Sequence, residues 1–195
     1  LNVGRTLVEM SGNQPTRVRW HADYIYNLDP DGSDSIPRFN VAGRRSDNGN
    51  QLVTSNPTFR HLLSTGVSLE NQCYGFDADF LFGSGESSVW GMTLSPYYWA
   101  IPGKLKVVGR YHFADSDDPG ALVATSGASA DPYFDDTPFT IGDEYHSFYL
   151  GTNWHIDRNH LVLMGGVEYA SLKDDAGIGA DTESWIWHAG ARVSF

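Results

Sequence analysis

Hydrophobic and polar positions alternate with a period of two along most of this chain, and its last residues show the pattern best. Trp185, Trp187, Ala189, Ala191, Val193 and Phe195 share one parity, while Ile186, His188, Gly190, Arg192 and Ser194 share the other. A period of two sends successive side chains to opposite faces of a strand, so this segment reads as a strand with one apolar face. The same alternation recurs over 18–26 with Trp20, Tyr24 and Tyr26 on the richer face, over 62–69 with Leu63 and Val67, and over 74–82 with Phe76, Phe80 and Phe82. It continues over 90–99 with Trp90, Met92 and Leu94, over 104–113 with Leu105, Val107 and Tyr111, over 147–156 with Phe148, Leu150 and Trp154, and over 160–169 with Leu161, Leu163 and Val167. The pattern predicts eight long strands and a stub within 1–10. Pro96 falls inside one strand, where its missing N–H predicts a bulge, an end or a distortion.

The connections are unequal in a regular way. Short ones at 11–16, 70–71, 102–103 and 157–159 alternate with longer ones at 30–58, 83–87, 116–143 and 173–181. This is the expected layout of an all-β antiparallel meander with tight turns at one rim and long polar loops at the other, as in a transmembrane β-barrel. It puts Phe195 at the tight-turn rim and makes 1–195 a single domain.

Composition narrows the classes. No run approaches the roughly 18 consecutive apolar residues of a membrane-spanning helix, but a barrel crosses with alternating strands and carries many aromatic residues, here 13% of the chain. The formal charge of −11 argues against a nucleic-acid partner, because phosphate neutralisation supplies most of that affinity. The single cysteine, Cys73, can form no internal disulfide and reads as a spectator at a turn. The chain begins at Leu1 with neither Met nor a secretory leader, as expected of a mature chain or a fragment. Acidic residues concentrate in the longer loops, as at Asp115, Asp117 and Asp118. Such a run could hold a hard divalent cation, but it lacks the Gly and Glu of an EF-hand loop and reads as solvated surface. No cofactor or metal site is expected.

The tail His188-Ala189-Gly190-Ala191-Arg192-Val193-Ser194-Phe195 resembles the β-signal by which outer-membrane barrels are recognised by their assembly machinery, with His188, Gly190, Val193 and Phe195 in the diagnostic places. Upstream, residues 20–27, 89–94, 104–111 and 149–154 (WHADYIYN, VWGMTL, KLKVVGRY and YLGTNW) resemble strands of the C-terminal half of the phosphate-selective porin O and porin P family. The resemblance implies a barrel of about sixteen strands in a Gram-negative outer membrane, a homotrimer in contact with outer-membrane lipid, passing anions or other small solutes. The pore arginine ladder and inward-folded constriction loop of that family have no matching positions here.

Parity nominates Arg19, Lys106, Arg110 and Arg192 as lumen-facing cations, with Arg60 a further candidate, and Asp23, Asp77, Asp79 and Glu168 as lumen-facing acids. Charges on a pore wall tune selectivity, although opposite charges on neighbouring strands could equally pair and hold the wall together. The seven histidines are scattered over different strands with no nucleophile motif, so no catalysis is expected. Tyr24, Tyr26, Tyr111, Phe113, Tyr169, Trp185 and Trp187 fall near the long-loop ends, and Tyr74, Phe76, Trp154 and Phe195 near the short-turn ends, which predicts two aromatic girdles.

The reading is therefore a porin fragment allowing passive diffusion of small hydrophilic solutes or anions, phosphate among them. The alternative is a complete eight-stranded barrel with a structural or adhesive role and no open pore, closed by pairing the strand of Val18 with the last one. A soluble sugar-binding β-sandwich is the third class.

Overall fold

The structure, a computed structural model, describes residues 2–11, 14–26, 39–42, 59–85, 88–117, 122–125, 139–157, 160–175 and 181–194; Phe195 and much of the loops 30–58 and 116–143 lie outside them. In chain order the strands are β1 (Asn2–Ser11), β2 (Gln14–Tyr26), β3 (Phe39–Ala42), β4 (Phe59–Glu70), β5 (Tyr74–Gly85), β6 (Ser88–Ile101), β7 (Leu105–Ser116), β8 (Leu122–Thr125), β9 (Phe139–Gly142), β10 (Glu144–Asp157), β11 (Leu161–Lys173) and β12 (Thr182–Val193). The described residues contain no helix.

Nine strands form one antiparallel sheet in the order β1-β2-β4-β5-β6-β7-β10-β11-β12, so each of the eight predicted strands pairs with its neighbour in the meander. Two sequence expectations are corrected here. The stub is a full ten-residue strand, registered on β2 from Asn2 against Asp23 to Ser11 against Gln14. Closure through β2 and β12 is not formed, because β1 and β4 occupy both edges of β2. The sheet is open, with β1 and β12 at its edges.

Loop lengths explain two further departures. The strands flanking 83–87 run on to Gly85 and resume at Ser88, which makes that connection short. The long connections are not structureless either: β3, β8 and β9 form a second, three-stranded sheet in which β3 runs parallel to β8 and β8 antiparallel to β9. Segments of four residues lie at the short limit of what alternation can signal. Leu122 of β8 is fully buried, in a cluster with Val89, Tyr145, Ala170 and Leu172.

Local chemistry accounts for the tight turns. Pro102 and Gly103 occupy the centre of a turn closed by the Lys104 N–H donating to the Ile101 carbonyl at 2.9 Å, and Gly103 has φ of +68°. Pro presets the first central position and Gly supplies the positive φ of the second. Gly103→Ala is expected to destabilise the fold by about 1 kcal/mol, read as a lowered urea midpoint, because only glycine enters that region without steric cost. At the next turn, Asn71 accepts the Cys73 N–H through its side-chain oxygen at 3.0 Å and donates to Thr16 Oγ1 at 3.3 Å, tying the β4–β5 turn to β2.

Pro96 does not shift the register. The β6–β7 pairing runs to Leu94 against Tyr111 and resumes in the same frame at Tyr97 against Val108. The ladder is interrupted only where the proline lacks a donor. Gly109, abreast of Pro96, leaves room for its ring: a Cβ there would lie 3.3 Å from Pro96 Cγ. The true bulge is at Trp99–Ile101.

Candidate functional site

Cross-strand partners point to the same side of a sheet, so the register fixes how the predicted faces combine. Val18, Leu69 and Phe76 are successive partners, as are Tyr111, Phe148, Tyr169 and Trp185. All eight apolar parities fall on one side. Among the described residues, every large hydrophobic side chain that is exposed lies on this face except Ile25, on the polar parity, and Ile156, which the β10–β11 register skips. Exposure reaches 83% at Trp187, 68% at Trp185 and 61% at Leu150. An apolar patch on a water-soluble monomer rarely exceeds ~600 Å²; here it runs across the whole width of the sheet.

Polar tips interrupt this face near the long-loop rim. Tyr24 shares a hydrogen bond with His61 Nδ1 at 2.6 Å, Tyr111 shares one with His146 Nδ1 at 2.8 Å, and the Trp90 indole donates to Asp115 at 2.8 Å. Lys173 and His146 both reach Glu144, at 2.8 and 3.2 Å. At the opposite rim, Tyr74 and Tyr98 are cross-strand partners and Trp154 is exposed. Between the rims aliphatic and small residues such as Val67, Ala78, Leu94, Leu150 and Val167 share the rows with large aromatic ones such as Trp20, Phe148 and Trp187. Rings with one apolar end and one hydrogen-bonding end belong at a boundary between greasy and wet surroundings.

The other face carries the nominated charges. Arg19, Asp23, Asp77, Asp79, Lys106, Arg110, Glu168 and Arg192 all lie on it. Arg60 does not belong to the set: it is the residue skipped where the β4–β5 register shifts between Phe59 and His61, and it is exposed. Of the tail residues, Gly190 and His188 face this polar side with Met164 and Gly166 as partners, Val193 lies on the apolar side, and Phe195 is outside the described residues. Ser194 donates its N–H to the His160 carbonyl at 2.9 Å, which places the end of β12 at the short-turn rim as the loop pattern predicts.

The charges gather into two groups. In the first, Arg19 reaches Glu70 at 3.0 Å with Arg17 at 4.0 Å, and His21 lies 3.7 Å from Asp79. Gly66 stands between His21 and Asp79 in the same row, and a Cβ there would collide with both side chains. Lys106 sits 3.6 Å above the Tyr97 ring and 5.8 Å from that of Trp99. A cation over a ring face is held by the ring quadrupole.

The second group centres on Glu168, 3% exposed. It accepts from the fully buried Ser147 hydroxyl, pairs with His188 Nε2 at 2.9 Å and pairs with Arg110 at 3.4 Å. Tyr149 lies over Gly151 and Gly166, either of which as alanine would drive a Cβ into its ring; Arg110 stacks on that ring at 5.2 Å and His188 meets its edge at 5.5 Å. A buried carboxylate is tolerable only when paired and hydrogen-bonded, and three neighbouring strands, β7, β10 and β12, supply the partners.

No family model matches the chain, and no curated protein or solved structure does either.

The histidines are thus less scattered than the sequence suggests. His188, Glu168 and Ser147 meet, with the serine hydroxyl donating to the carboxylate and the imidazole paired with the carboxylate's other oxygen rather than with the serine. Among the described residues no group of His, Cys, Asp and Glu has the spacing to hold a metal ion. Sequence reading put Ser147, Tyr149 and Tyr97 on the polar parity without giving them a role; only the register brings them to Glu168, Arg110 and Lys106. The cap formed by the second sheet was missed altogether: Leu122 packs on Val89, Tyr145 and Ala170, which belong to the polar face at its long-loop end.

Proposed function

We propose that this sheet is a section of the wall of an outer-membrane porin, with its apolar face toward lipid and its polar face toward a water-filled passage for small hydrophilic solutes or anions. The observation that carries the reading is the collection of the exposed large apolar side chains on a single face, all but Ile25 and Ile156 of those in the described residues. Strand length supports it: β4–β7 and β10–β12 have 12 to 14 residues, above the roughly 9–11 that a tilted strand needs to cross a bilayer. Tyr24 and Trp90 near one rim, each hydrogen-bonded to a polar neighbour, and the Tyr74–Tyr98 pair at the other fit the two interfaces of a membrane. The β-signal-like tail and the porin-like segments point the same way, as does the cap at the loop rim, where Leu122 covers part of the polar face.

An open sheet cannot stay in hydrocarbon with bare edges, since each unpaired backbone group there costs several kcal/mol. The edges of β1 and β12 must therefore be joined by further strands in the assembled wall. The test is planar-bilayer recording from the full-length protein in chloride and in phosphate: stepwise, persistent ion currents are expected. Silence from protein that is folded and membrane-inserted refutes the porin reading.

A further inference from the structure

One row of the polar face carries charge on every second strand, with alternating sign. Arg19, Ser68, Asp77 and Ser95 are successive partners on β2, β4, β5 and β6; Arg110, Tyr149, Glu168 and Ile186 continue the row on β7, β10, β11 and β12. Ser95 and Arg110 are abreast in the register on either side of the Pro96 interruption. Strands lie about 4.8 Å apart, so charges of opposite sign recur about every 10 Å along this belt. The other charges between the rims divide evenly, Arg17, Lys106 and Arg192 against Asp23, Glu70 and Asp79.

The basic groups are also engaged laterally. Arg110 is held against the buried Glu168 and the Tyr149 ring, Arg19 against Glu70, and Lys106 against Tyr97, with Glu70 and Asp77 in Coulombic range of its ammonium. A wall that binds phosphate needs several cations converging on one point without carboxylates beside them. Here each guanidinium in the row has a carboxylate partner at 3.4 Å or less.

We infer that the solutes suited to this wall are net-neutral and dipolar, carrying an ammonium and a carboxylate or only hydroxyls, and that the wall is not a phosphate-selective surface. The inference rests on the porin reading and adds its substrate class. A charge-balanced wall leaves little mean potential in the passage, so ions of either sign gain equally, while alternating sites interact with both ends of a zwitterion.

The test uses the full-length protein in planar bilayers and liposomes. The potassium-to-chloride permeability ratio is expected within about twofold of one. Inorganic phosphate should leave the chloride current unchanged, and liposomes should swell at least as fast in glycine as in sodium lactate. Asp77→Asn should shift the ratio toward anions and Arg19→Gln toward cations, each by about twofold. Open channels that prefer anions by more than about tenfold, or whose chloride current phosphate blocks, overturn the inference and leave the porin reading standing. So do channels whose ratio neither variant moves. Absence of channels from inserted protein overturns both.

Discussion

Leu150→Arg is expected to cost about 2–4 kcal/mol of folding free energy in lipid vesicles, the penalty of a cation on the lipid face at the bilayer midplane. Leu150 sits near the middle of β10, between Gly109 and Val167 on the apolar face, and is 61% exposed. In a water-soluble protein a residue so exposed would accept arginine with a change within about 0.5 kcal/mol. The two environments therefore predict results several-fold apart for one substitution. Two companions make the profile diagnostic. Ile156→Arg, at the short-turn end of the same strand where the β10–β11 register skips a residue, should cost only about 0–1 kcal/mol, because the penalty falls toward the interface. Asn153→Arg lies on the polar face one parity away and should be nearly silent. Urea unfolding of vesicle-folded protein measures all three, and equal costs at Leu150, Ile156 and Asn153 would remove the lipid from the account.

Much of this architecture was legible because a strand's period is short and strict. The parity at Trp185 and Trp187, or at Phe76 and Phe80, needs only a few residues to declare itself, and each of the eight strands read that way lies where alternation put it, with its richer parity on the common face. Register was not legible. It is set by turn geometry and by which rows of side chains fit, so nothing in the sequence announced that Gly66 would let His21 reach Asp79, or that Tyr149 would settle over Gly166. Arg60 shows the cost of parity alone: a one-residue bulge removes it from the row that alternation assigns. The strand at Asn2–Ser11 was underrated because its apolar and polar residues do not alternate cleanly, and its place comes from pairing with β2. The strands β3, β8 and β9 were invisible for a different reason, since pairing between distant loops leaves no local period.

The same distinction between face and register decides what Glu168 does. Parity reads it as a wall acid open to the passage, whereas the register buries it to 3% exposure beneath Arg110, His188 and the Ser147 hydroxyl. Three strands besides its own, β7, β10 and β12, converge on that one carboxylate. Glu168→Ala would leave the Arg110 guanidinium without its counter-charge, the His188 imidazole without its hydrogen-bond partner and the Ser147 hydroxyl without its acceptor. Removing one partner of a buried charged pair costs about 3–5 kcal/mol when both are enclosed. The Arg110 side chain keeps 40% of its exposure and can turn to water, so we expect about 3 kcal/mol, at the lower end of that range. Glu168→Gln keeps the shape and one acceptor and should lose roughly half as much. Combining Glu168→Ala with Ser147→Ala should cost less than the sum of the two, because the second substitution removes the hydroxyl that the first leaves unsatisfied. Thermal and urea unfolding of the four proteins form a double-mutant cycle. Strict additivity, or a Glu168→Ala protein as stable as the parent, would mean that this carboxylate is not the clasp joining the β7–β12 half of the sheet.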